Sequence, residues 1–581
     1  MKLLFLHAIA FGFQLIVCAG ELEAPVISTE EGNVAGVVEE ASNGKPFHSY
    51  YGIPYATPPV GELRFKDPVP ANKWKGVRDG SSMPSPCPEV PYGAAVMGIK
   101  LTAKELPGKE DCLYLNVFKP KAAQPSEGDF PVMVYIHGGG YFAGGAEEYL
   151  PHVLMSKDII LVVIQYRLGF LGFLSTEDSV MPGNYGLKDQ TLALQWVQKN
   201  IQNFGGDPKR VTIFGESAGS ASVHYHMLSP KTKGLFSGAI MQSGSAFASW
   251  ASSKEHKKTA KKVGSLVGCN LEEGSQPSQV MHCDRARSMA PELSSVILPS
   301  CSPESNETLP DDQLEYAVRR YNRGQTMIGV TANEGAALTQ PLYGVRRNLM
   351  SELEKGYPVL GPLSIENSLN DNDSLRLANH IYNYYLGGVN LDIEHAEDMT
   401  KMISDVHFNL GFDLVSQLHS RATGESTFRY ELGHRGQMSF GDFTTVDVGR
   451  HWVPHVDDLY YLFRGGPMLT PVEQPPERPT DLEAPEDLAV RNFMVTLWTN
   501  FAAHGHPTPD KSLGFVWEAT NPDNLRHLAL TPNPSMKGDA RKEVRRFLLS
   551  LPTETNLILN PNLITENTFR TGSKRRNQDE L

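Results

Sequence analysis

The sequence predicts one large domain of the α/β class, in which helices wrap a mainly parallel β-sheet. Two observations carry this prediction. Continuous apolar runs such as Pro131–Ile136 and Ile159–Ile164 have the length and β-branched content of strands buried on both faces. Between such runs lie segments with apolar residues at helical spacing, as in Leu187–Phe204. Strands that alternate with helices in this way form parallel sheets.

The remaining elements follow the same criteria. Buried strands are predicted at Gly238–Met241, Met327–Val330 and Phe428–Leu432, and the alternating residues of Cys112–Phe118 indicate another strand. Residues 87–112 are rich in Gly and Pro, which predicts a long loop. The region from residue 351 to 420 is helical in pattern, and we expect it to cap one side of the sheet.

Composition excludes several classes of function. The chain has 581 residues, of which 40% are hydrophobic and 20% charged, as is ordinary for a globular protein. Large α/β folds often absorb such a length in one domain. The formal net charge of −13 argues against a nucleic-acid-binding surface.

The first 20 residues have the form of a secretory signal peptide. Lys2 supplies the positive charge, Leu3–Val17 is mostly apolar, and small residues at Cys18–Gly20 offer a cleavage site. No other long uncharged apolar run is present in the sequence, so no stable membrane anchor is expected. A single domain is predicted for residues 21–570.

Residues 571–581 are predicted to be a flexible tail that ends in Gln578–Leu581. This ending resembles the K-D-E-L class of retrieval signals of the endoplasmic reticulum (ER), although Gln replaces Lys at its first position. The predicted location is therefore the ER lumen, with possible leakage to the outside. An ER-retrieval receptor is the corresponding partner.

The cysteines fit an oxidising compartment. Cys18 leaves with the signal peptide, and two sequence-near pairs remain: Cys87 with Cys112, and Cys269 with Cys283. Cys301 is left over, either as a free buried thiol, which we favour, or as a competitor for one of these pairings. No cysteine spacing indicates a zinc site. Glycosylation sequons occur at two positions, Asn306 and Asn372.

The segment Val211–Gly219 carries the strongest chemical signal. It predicts a buried strand followed by Gly-Glu-Ser-Ala-Gly, the G-x-S-x-G pattern of a nucleophile elbow. Gly215 and Gly219 would let strand and helix approach closely in a sharp turn. Ser217 would be exposed at its tip, in front of a helix N-terminus. The amide of Ala218 would then lie where an oxyanion develops.

Two further segments follow predicted buried strands, at the sheet edge where reactive groups collect. The first is His137–Gly140, whose three consecutive glycines allow backbone amides to approach an oxyanion. His137 itself is predicted to be structural. The second contains Glu334, which lies between the candidate nucleophile and the candidate histidine, where the acid of a catalytic triad is expected in this fold.

Several histidines are candidates for the base of the triad. His455 precedes an aromatic-rich segment in which Asp457 and Asp458 are predicted to cap a helix. Pattern alone does not separate His455 from its rivals, which are His434, His451, His504 and His506.

The chain resembles the type-B carboxylesterases, the cholinesterase-like family of α/β-hydrolases, from about Ala24 to about Phe547. The segments that carry the resemblance are Glu110–Val117, His137–Gly140, Asn184–Gln190, Phe204–Pro208, Phe214–Gly219, Asn333–Gly335 and His455–Leu459. The resemblance implies the α/β-hydrolase fold, helical cap insertions and serine carboxylic-ester hydrolase activity on a small-molecule ester. It implies no metal and no cofactor.

The same resemblance assigns roles to individual residues. Ser217 would be the nucleophile, His455 the general base and acid, and Glu334 the acid that orients His455. The amides of Gly139, Gly140 and Ala218 would form the oxyanion hole. The resemblance also implies disulfides Cys87–Cys112 and Cys269–Cys283. With an ordinary histidine pKa of about 6.5, activity is predicted to fall on acidification near pH 6 to 7.

Three alternative functions stay open, and a feature of the sequence argues against each of them. An acetylcholinesterase-like enzyme is disfavoured, because residues 87–112 contain no Trp and no cysteine follows Cys301 for a third disulfide. A juvenile hormone esterase-like role is weakened, since those relatives typically have Gln where this chain has Glu216. A non-catalytic adhesion protein, like the neuroligin-type relatives, is the least favoured, because the complete set of catalytic residue types is present. The aromatics Phe142, Phe247 and Trp250 are candidates both for an acyl pocket and for the core.

Overall fold

The computed structural model describes residues 24–99, 101–102, 105–121, 130–252, 256–266, 324–365, 372–422, 425–443, 447–465, 481–553 and 556. In these ranges the strands form one 11-stranded sheet and one 3-stranded sheet. The strands are β1 Val26–Ser28, β2 Asn33–Ala35, β3 Val37–Glu40, β4 Pro46–Pro54, β5 Val77–Asp79, β6 Tyr114–Pro120, β7 Phe130–Ile136, β8 Ile160–Ile164, β9 Gly206–Glu216, β10 Gly238–Gln242, β11 Gln325–Thr331, β12 Thr427–Leu432, β13 His527–Leu530 and β14 Ser535–Lys537.

Helices flank the large sheet. The α-helices of the described ranges are α1 Tyr92–Met97, α2 Gly169–Phe173, α3 Tyr185–Asn200, α4 Ala218–Leu228, α5 His256–Leu266, α6 Ala336–Tyr343, α7 Arg347–Lys355, α8 Tyr357–Ser364, α9 Asn372–Leu386, α10 Ala396–Ser404, α11 Leu410–Ala422, α12 Pro485–His504 and α13 Lys542–Leu549. A π-helix, Asp405–Asn409, joins α10 to α11. Short 3₁₀ turns are Gly61–Leu63, Ala146–Glu148, Leu154–Ser156, Ile201–Phe204, Pro230–Thr232, Ser249–Ala251, Ile393–His395, Phe440–Phe443 and Asp457–Tyr461.

The strand order of the large sheet is β14-β13-β12-β11-β10-β9-β7-β8-β6-β4-β3. Neighbours from β13 to β8 are parallel, and the pairs β13–β14, β8–β6, β6–β4 and β4–β3 are antiparallel. The parallel part brings the carboxyl ends of β7, β9, β10 and β11 to one edge. Loops that carry chemistry collect at this edge in open parallel sheets.

The central strands are buried because helices cover both faces. All residues of β8 and β10 are buried, and so are all but the first residue of β7 and β11. Their apolar, β-branched side chains fit a strand that packs on both sides. The predicted central strands are therefore confirmed; β9 begins five residues before the predicted start at Val211, and the boundaries of the others differ from the prediction by at most two residues.

Two predictions on helices have different outcomes. The helical region after residue 351 is confirmed, since α7 to α11 and the π-helix lie there. The prediction that residues 87–112 are only loop was wrong, because α1 forms within them. No helix in the described ranges combines the length and the apolar character that crossing a membrane requires.

Candidate active site

Ser217 lies at the turn between β9 and α4, with backbone angles φ 58° and ψ −123°. A positive φ is costly for a residue with a Cβ atom and persists only where the surroundings impose it. A Cβ on Gly215 would lie 2.5 Å from the Ile136 carbonyl oxygen, and one on Gly219 only 2.0 Å from that oxygen. Glycine alone fits at both positions. The two glycines therefore allow the tight turn that presents Ser217 at its tip.

The glycine-rich loop after β7 lies against this turn. A Cβ on Gly138 would lie 2.6 Å from the Glu216 carbonyl oxygen and 3.1 Å from Ser217 Cβ. Gly139 and Gly140 have φ values of 98° and 60°, in the left-handed region that favours glycine. Among the described residues, no acceptor takes a hydrogen bond from the amides of Gly139, Gly140 or Ala218. These amides are therefore available as donors in the loop and the helix that adjoin the Ser217 turn.

Glu334 follows β11 and is completely buried. Its Oε1 atom accepts hydrogen bonds from the Ser243 hydroxyl at 2.6 Å and from the Thr331 amide at 2.7 Å. Its Oε2 atom lies 2.6 Å from Nδ1 of His455. Because a carboxylate only accepts, Nδ1 of His455 carries the proton in this contact. In neutral His455 the free electron pair is then on Nε2, the position required of a general base.

The Nε2 atom of His455 faces a second carboxylate. Oε1 of Glu216 lies 3.1 Å from it. The geometry is not that of a hydrogen bond, and within the described ranges both Glu216 side-chain oxygens are buried without a hydrogen-bond partner. The Ser217 hydroxyl also makes no hydrogen bond to His455 here. Such catalytic contacts are often long in structures without substrate. Glu334 thus contacts His455 directly. Ser217 is linked to this pair through Glu216, the residue before it, which lies beside the other ring nitrogen of His455.

The buried charges shift one another's protonation. Burial lowers the pKa of His455, but the carboxylates of Glu216 and Glu334 outweigh it and raise the pKa to about 9. Burial raises the pKa of Glu216 to about 8, opposed by His455 and reinforced by Asp458. The expectation of an ordinary histidine pKa therefore changes: the acid limb of activity should lie higher than pH 6 to 7.

Asp457 and Asp458 do not cap the helix that follows them. Neither side chain accepts a capping hydrogen bond, and the residue at the cap position is Val456. Asp457 instead accepts from the Phe440 amide at 2.8 Å and the Ser439 hydroxyl at 3.0 Å. The capping prediction was wrong because both carboxylates are buried in the core, where residues remote in sequence donate to one oxygen of each.

Asp458 is a site residue that sequence reasoning missed. Its Oδ2 atom accepts from Gln242 Nε2 at 2.8 Å and from the Tyr430 hydroxyl at 3.0 Å. Burial raises its pKa to about 6, and Gln242 opposes this shift. Asp458 adds negative charge beside Glu216 and His455. The sequence signal for a place in the site was that Asp458 follows His455 closely, but a role as helix cap explained this carboxylate equally well.

The rival histidines lie outside this cluster. His434 pairs with Asp487 at 2.7 Å, and His451 is exposed beside Glu397 at 3.6 Å. His506 packs edge-on against Phe428, while His504 lies in the last turn of α12. None of these contacts places a histidine between two buried carboxylates, as Glu216 and Glu334 place His455.

His137 is buried beside the glycine-rich loop. Its ring stacks on Tyr166 with centroids 4.4 Å apart, and Nδ1 lies 2.9 Å from the Gly138 carbonyl. Burial lowers the pKa of His137 to about 4. The ring therefore supports the loop as a neutral, packed side chain, in agreement with its expected structural role.

The loop from Cys87 to Cys112, closed by a disulfide between these residues, braces the glycine-rich loop. Glu89 accepts a hydrogen bond from the Gly144 amide, and the Val90 amide donates to the Phe142 carbonyl at 3.1 Å. Burial raises the pKa of Glu89 to about 7. Sequence reasoning missed this role, because no local pattern links Glu89 to a loop about 50 residues away.

The candidate pocket aromatics have distinct surroundings. Phe142 stacks on Tyr92 with centroids 6.2 Å apart, and Phe247 packs edge-on against His224. Trp250 lies 5.9 Å from Phe408, whose ring in turn lies 4.7 Å from His455. Phe408 is a second site residue without a sequence signal. Its place beside His455 depends entirely on the cap helices.

Several predicted features lie outside the described residues. These are Cys269, Cys283, Cys301, Asn306, residues 1–20 and the tail 571–581. Asn372 is the first residue of α9. In the described ranges, no group of His, Cys, Asp and Glu side chains is arranged to hold a metal ion.

A serine on a strand–helix turn, beneath a glycine-rich loop at the carboxyl edge of a mostly parallel sheet, defines the α/β-hydrolase fold. Comparison with known protein families assigns the chain to one family within this fold class. The model of the carboxylesterase family matches residues 23–548, so the chain belongs to the carboxylesterase family. Family membership makes it a carboxylic ester hydrolase.

Relatives and a solved structure agree with this placement. Juvenile hormone esterase of Tribolium castaneum is 36% identical over 541 residues, which cover 87% of this chain and 87% of that protein. Liver carboxylesterase 1F of Rattus norvegicus is 32% identical, with 87% of this chain and 90% of that protein covered. The crystal structure of juvenile hormone esterase from Manduca sexta, with OTFP covalently attached, matches with a TM-score of 0.75 at 25% identity and covers 94% and 100% of the two chains.

Proposed function

We propose that the chain hydrolyses esters through a Ser217–His455–Glu334 triad and a covalent acyl-enzyme. The observation that carries the proposal is the 2.6 Å contact between Glu334 and Nδ1 of His455, beside the strained elbow residue Ser217. This contact fixes the tautomer in which Nε2 of neutral His455 accepts a proton. The same arrangement of roles recurs in serine hydrolases of unrelated folds.

The reaction proceeds in two halves. Neutral His455 takes the hydroxyl proton of Ser217 as Oγ attacks the ester carbonyl carbon, and the carbonyl oxygen becomes an oxyanion. As the tetrahedral intermediate collapses, His455 gives the proton to the departing alkoxide, leaving an acyl-Ser217 ester and free alcohol. Water then attacks the acyl carbon while His455 takes its proton. Collapse releases the carboxylic acid and returns the proton to Ser217.

The amides of Gly139, Gly140 and Ala218 stabilise the oxyanion in both halves. Their support is geometric: none is engaged elsewhere among the described residues, and the first two lie in the loop that contacts the Ser217 turn. Ala218 adds the N-terminus of α4, where the helix dipole favours negative charge. Removing one such donor typically costs about 10²- to 10³-fold in kcat.

A juvenile hormone ester is a second, more specific candidate substrate. It is favoured by the two similar juvenile hormone esterases, from Tribolium castaneum and Manduca sexta. Glu216 at the elbow, where those relatives typically have Gln, argues for a broader esterase. A neutral-lipid ester is a further candidate. Rates of juvenile hormone hydrolysis and of p-nitrophenyl esters with increasing acyl length, measured on one preparation, will separate these candidates.

The secretory route is part of the proposal. Residues 1–20 would be removed, 21–570 would form one domain, and the tail 571–581 would bind an ER-retrieval receptor. Glycans at Asn306 and Asn372 and a Cys269–Cys283 disulfide fit the same compartment. The similarity to venom carboxylesterase-6 of Apis mellifera, 31% identical over 95% of this chain, supports a secreted or secretory protein. Deleting residues 578–581 should increase the secreted fraction, and an unchanged distribution would refute the retrieval role.

The test of the triad is labelling by an organophosphate that reacts with activated serines, followed by peptide mass analysis. We expect one adduct, on Ser217, with stoichiometric loss of p-nitrophenyl ester hydrolysis. Ser217→Ala should lose about 10⁴-fold or more in kcat while folding normally. Ser265→Ala, on the exposed side of α5, is the matched control and should keep full activity. Full turnover in folded Ser217→Ala would refute the assignment.

A further inference from the structure

The π-helix Asp405–Asn409 belongs to the helical region of residues 351–420 and contacts His455 of the candidate triad. It continues α10 and leads directly into α11. The junction is pressed against the turn after β10, since a Cβ on Gly411 would lie 2.8 Å from the Ser245 hydroxyl. π-helical turns are rare and frequently mark functional sites.

His407, in the middle of the π-helix, joins three segments of the chain. Its Nε2 atom lies 2.9 Å from the Ser364 carbonyl at the end of α8. Its Nδ1 atom lies 3.0 Å from the hydroxyl of Ser249. Its own carbonyl accepts a hydrogen bond from Trp250 Nε1 at 2.9 Å. The cap helix α8 and the turn Ser249–Ala251 are thus both tied to this one residue.

The contact with Ser364 fixes the tautomer of His407. A carbonyl oxygen only accepts, so Nε2 must carry a proton. In the neutral ring, Nδ1 then accepts from the Ser249 hydroxyl. Both ring nitrogens are therefore used, and a side chain without two such groups in this geometry cannot make both connections.

The next residue, Phe408, is the link to the reacting groups. Its ring centroid lies 4.7 Å from that of His455 and 5.9 Å from that of Trp250. Phe408 is 7% exposed, and its ring packs against the His455 imidazole at an interplanar angle of 46°, so it is an apolar neighbour of the proposed general base. Because His407 and Phe408 are adjacent on one helical turn, a shift of the first moves the second.

We propose that His407 is a positioning residue that holds Phe408 against His455 and so sets the orientation of the general base. It does not touch substrate, and it acts through Phe408. The inference rests on the proposed function, in which His455 moves the proton. A displacement of about 1 Å in such a group can cost on the order of 10²-fold in rate.

The test is kinetic. His407→Ala removes both ring contacts and should lower kcat about 10-fold or more per active site, counted by organophosphate titration, with KM within about 2-fold. His407→Gln keeps an N–H group that reaches the Ser364 carbonyl and should recover most of the loss. Ser249→Ala removes only the Nδ1 partner and should be intermediate. His380→Ala, on the exposed side of α9, is the control and should match wild type.

A pH profile separates positioning from mere loss of stability. The charged groups around His455 are Glu216, Glu334 and Asp458, and all three remain in these variants. Withdrawing the Phe408 ring lets water screen the carboxylates that raise the pKa of His455, so this pKa moves back toward its ordinary value. The acid limb of kcat/KM should therefore move to lower pH in His407→Ala. A lower melting temperature without this shift is the result of a purely structural role.

The outcomes are distinguishable. Wild-type protein that labels on Ser217, combined with unchanged kcat and pH profile in titrated His407→Ala and Ser249→Ala, overturns this inference alone. If His407→Ala does not fold, Ser249→Ala still decides, because full activity and an unchanged pH profile in that variant contradict a positioning role. Folded wild-type protein that neither labels nor hydrolyses esters overturns the proposed function and this inference together.

Discussion

The loop after β11 and the end of β9 each bring a carboxylate to His455, but they hold it differently. Glu334 has donors on both oxygens: the Ser243 hydroxyl, the Thr331 amide and His455 Nδ1. Among the described residues, Glu216 has no hydrogen-bond donor, although it lies only 3.1 Å from His455 Nε2. Two glutamates of the same buried cluster are therefore held in different ways, one by several donors and one by none.

The difference follows from hydrogen bonding. Donors that converge on a carboxylate fix its orientation, which suits a group that must hold an imidazole in one tautomer. Burial without donors raises the pKa of Glu216, so this carboxylate is kept in its charged form mainly by the neighbouring His455 imidazolium. We expect changes at Glu334 to affect turnover and changes at Glu216 to affect pH dependence.

The largest effect is expected at Glu334. Glu334→Gln removes the charge that stabilises the imidazolium and offers an amide group that favours the wrong tautomer, so kcat should fall about 10³-fold or more. Steady-state kinetics on a p-nitrophenyl ester measure it. Glu354→Gln, exposed on α7, serves as control. A loss of less than 10-fold would show that the 2.6 Å contact is not catalytic.

The next effect is a shift of the pH profile in Glu216→Gln. The base must be neutral, and against the opposing effect of burial the Glu216 carboxylate, together with Glu334 and Asp458, raises the pKa of His455 to about 9. Removing that charge lowers this pKa, so the acid limb of kcat/KM should move down by about one pH unit or more. The pH dependence of kcat/KM from pH 5 to 10 measures it. A limb that stays in place or rises contradicts the assigned charge effect.

A smaller loss is expected for Ser243→Ala. The change removes one of the donors to Glu334 but leaves the Thr331 amide on the same oxygen. We expect kcat to fall several-fold, up to about 10-fold, with about 1 kcal/mol less stability, the typical value of one hydrogen bond. Kinetics and urea unfolding test both. A loss as large as that of Glu334→Gln would mean that Thr331 contributes nothing to orientation.

The smallest effect is expected for Asp458→Asn. Asp458 is the last of the named causes that raise the pKa of His455, and it also raises that of Glu216. The acid limb should move down by only about a few tenths of a pH unit, less than in Glu216→Gln. A shift larger than that of Glu216→Gln would reverse the order of the two carboxylates and would require a closer coupling of Asp458 to His455.

The sequence predicted those features that depend on neighbours along the chain. The central strands are long apolar runs, and most of their boundaries agree with prediction because burial on both faces leaves a continuous pattern. The elbow glycines were predicted from steric need, and the structure gives the reason in the contacts of Gly215 and Gly219 with Ile136. Helix α1 escaped prediction, since a single short helix within a Gly- and Pro-rich loop has little periodicity.

Predictions failed where a local explanation competed with a distant contact. In the sequence, Asp457 and Asp458 fit a helix cap as well as they fit a buried site. In the structure they accept hydrogen bonds from Ser439, Phe440 and Gln242 instead. The raised pKa of His455 could not be predicted from the sequence either. A pKa depends on burial and on charges brought together by folding, and an ordinary value is the only one that a sequence offers.

The sequence by itself determined the class of the fold, the elbow at Ser217 and the glycine-rich loop, because each is encoded in consecutive residues whose sterics leave few alternatives. The residue pattern left several histidines open and the family resemblance named His455, which the tertiary structure joins to Glu334. Only the tertiary structure decided that Glu216 lies beside its other nitrogen and that Phe408 packs against its ring. Those contacts join segments separated by 121 residues in the case of Glu334 and His455. Contacts at such separation depend on how the whole sheet and its cap pack, which no local pattern specifies.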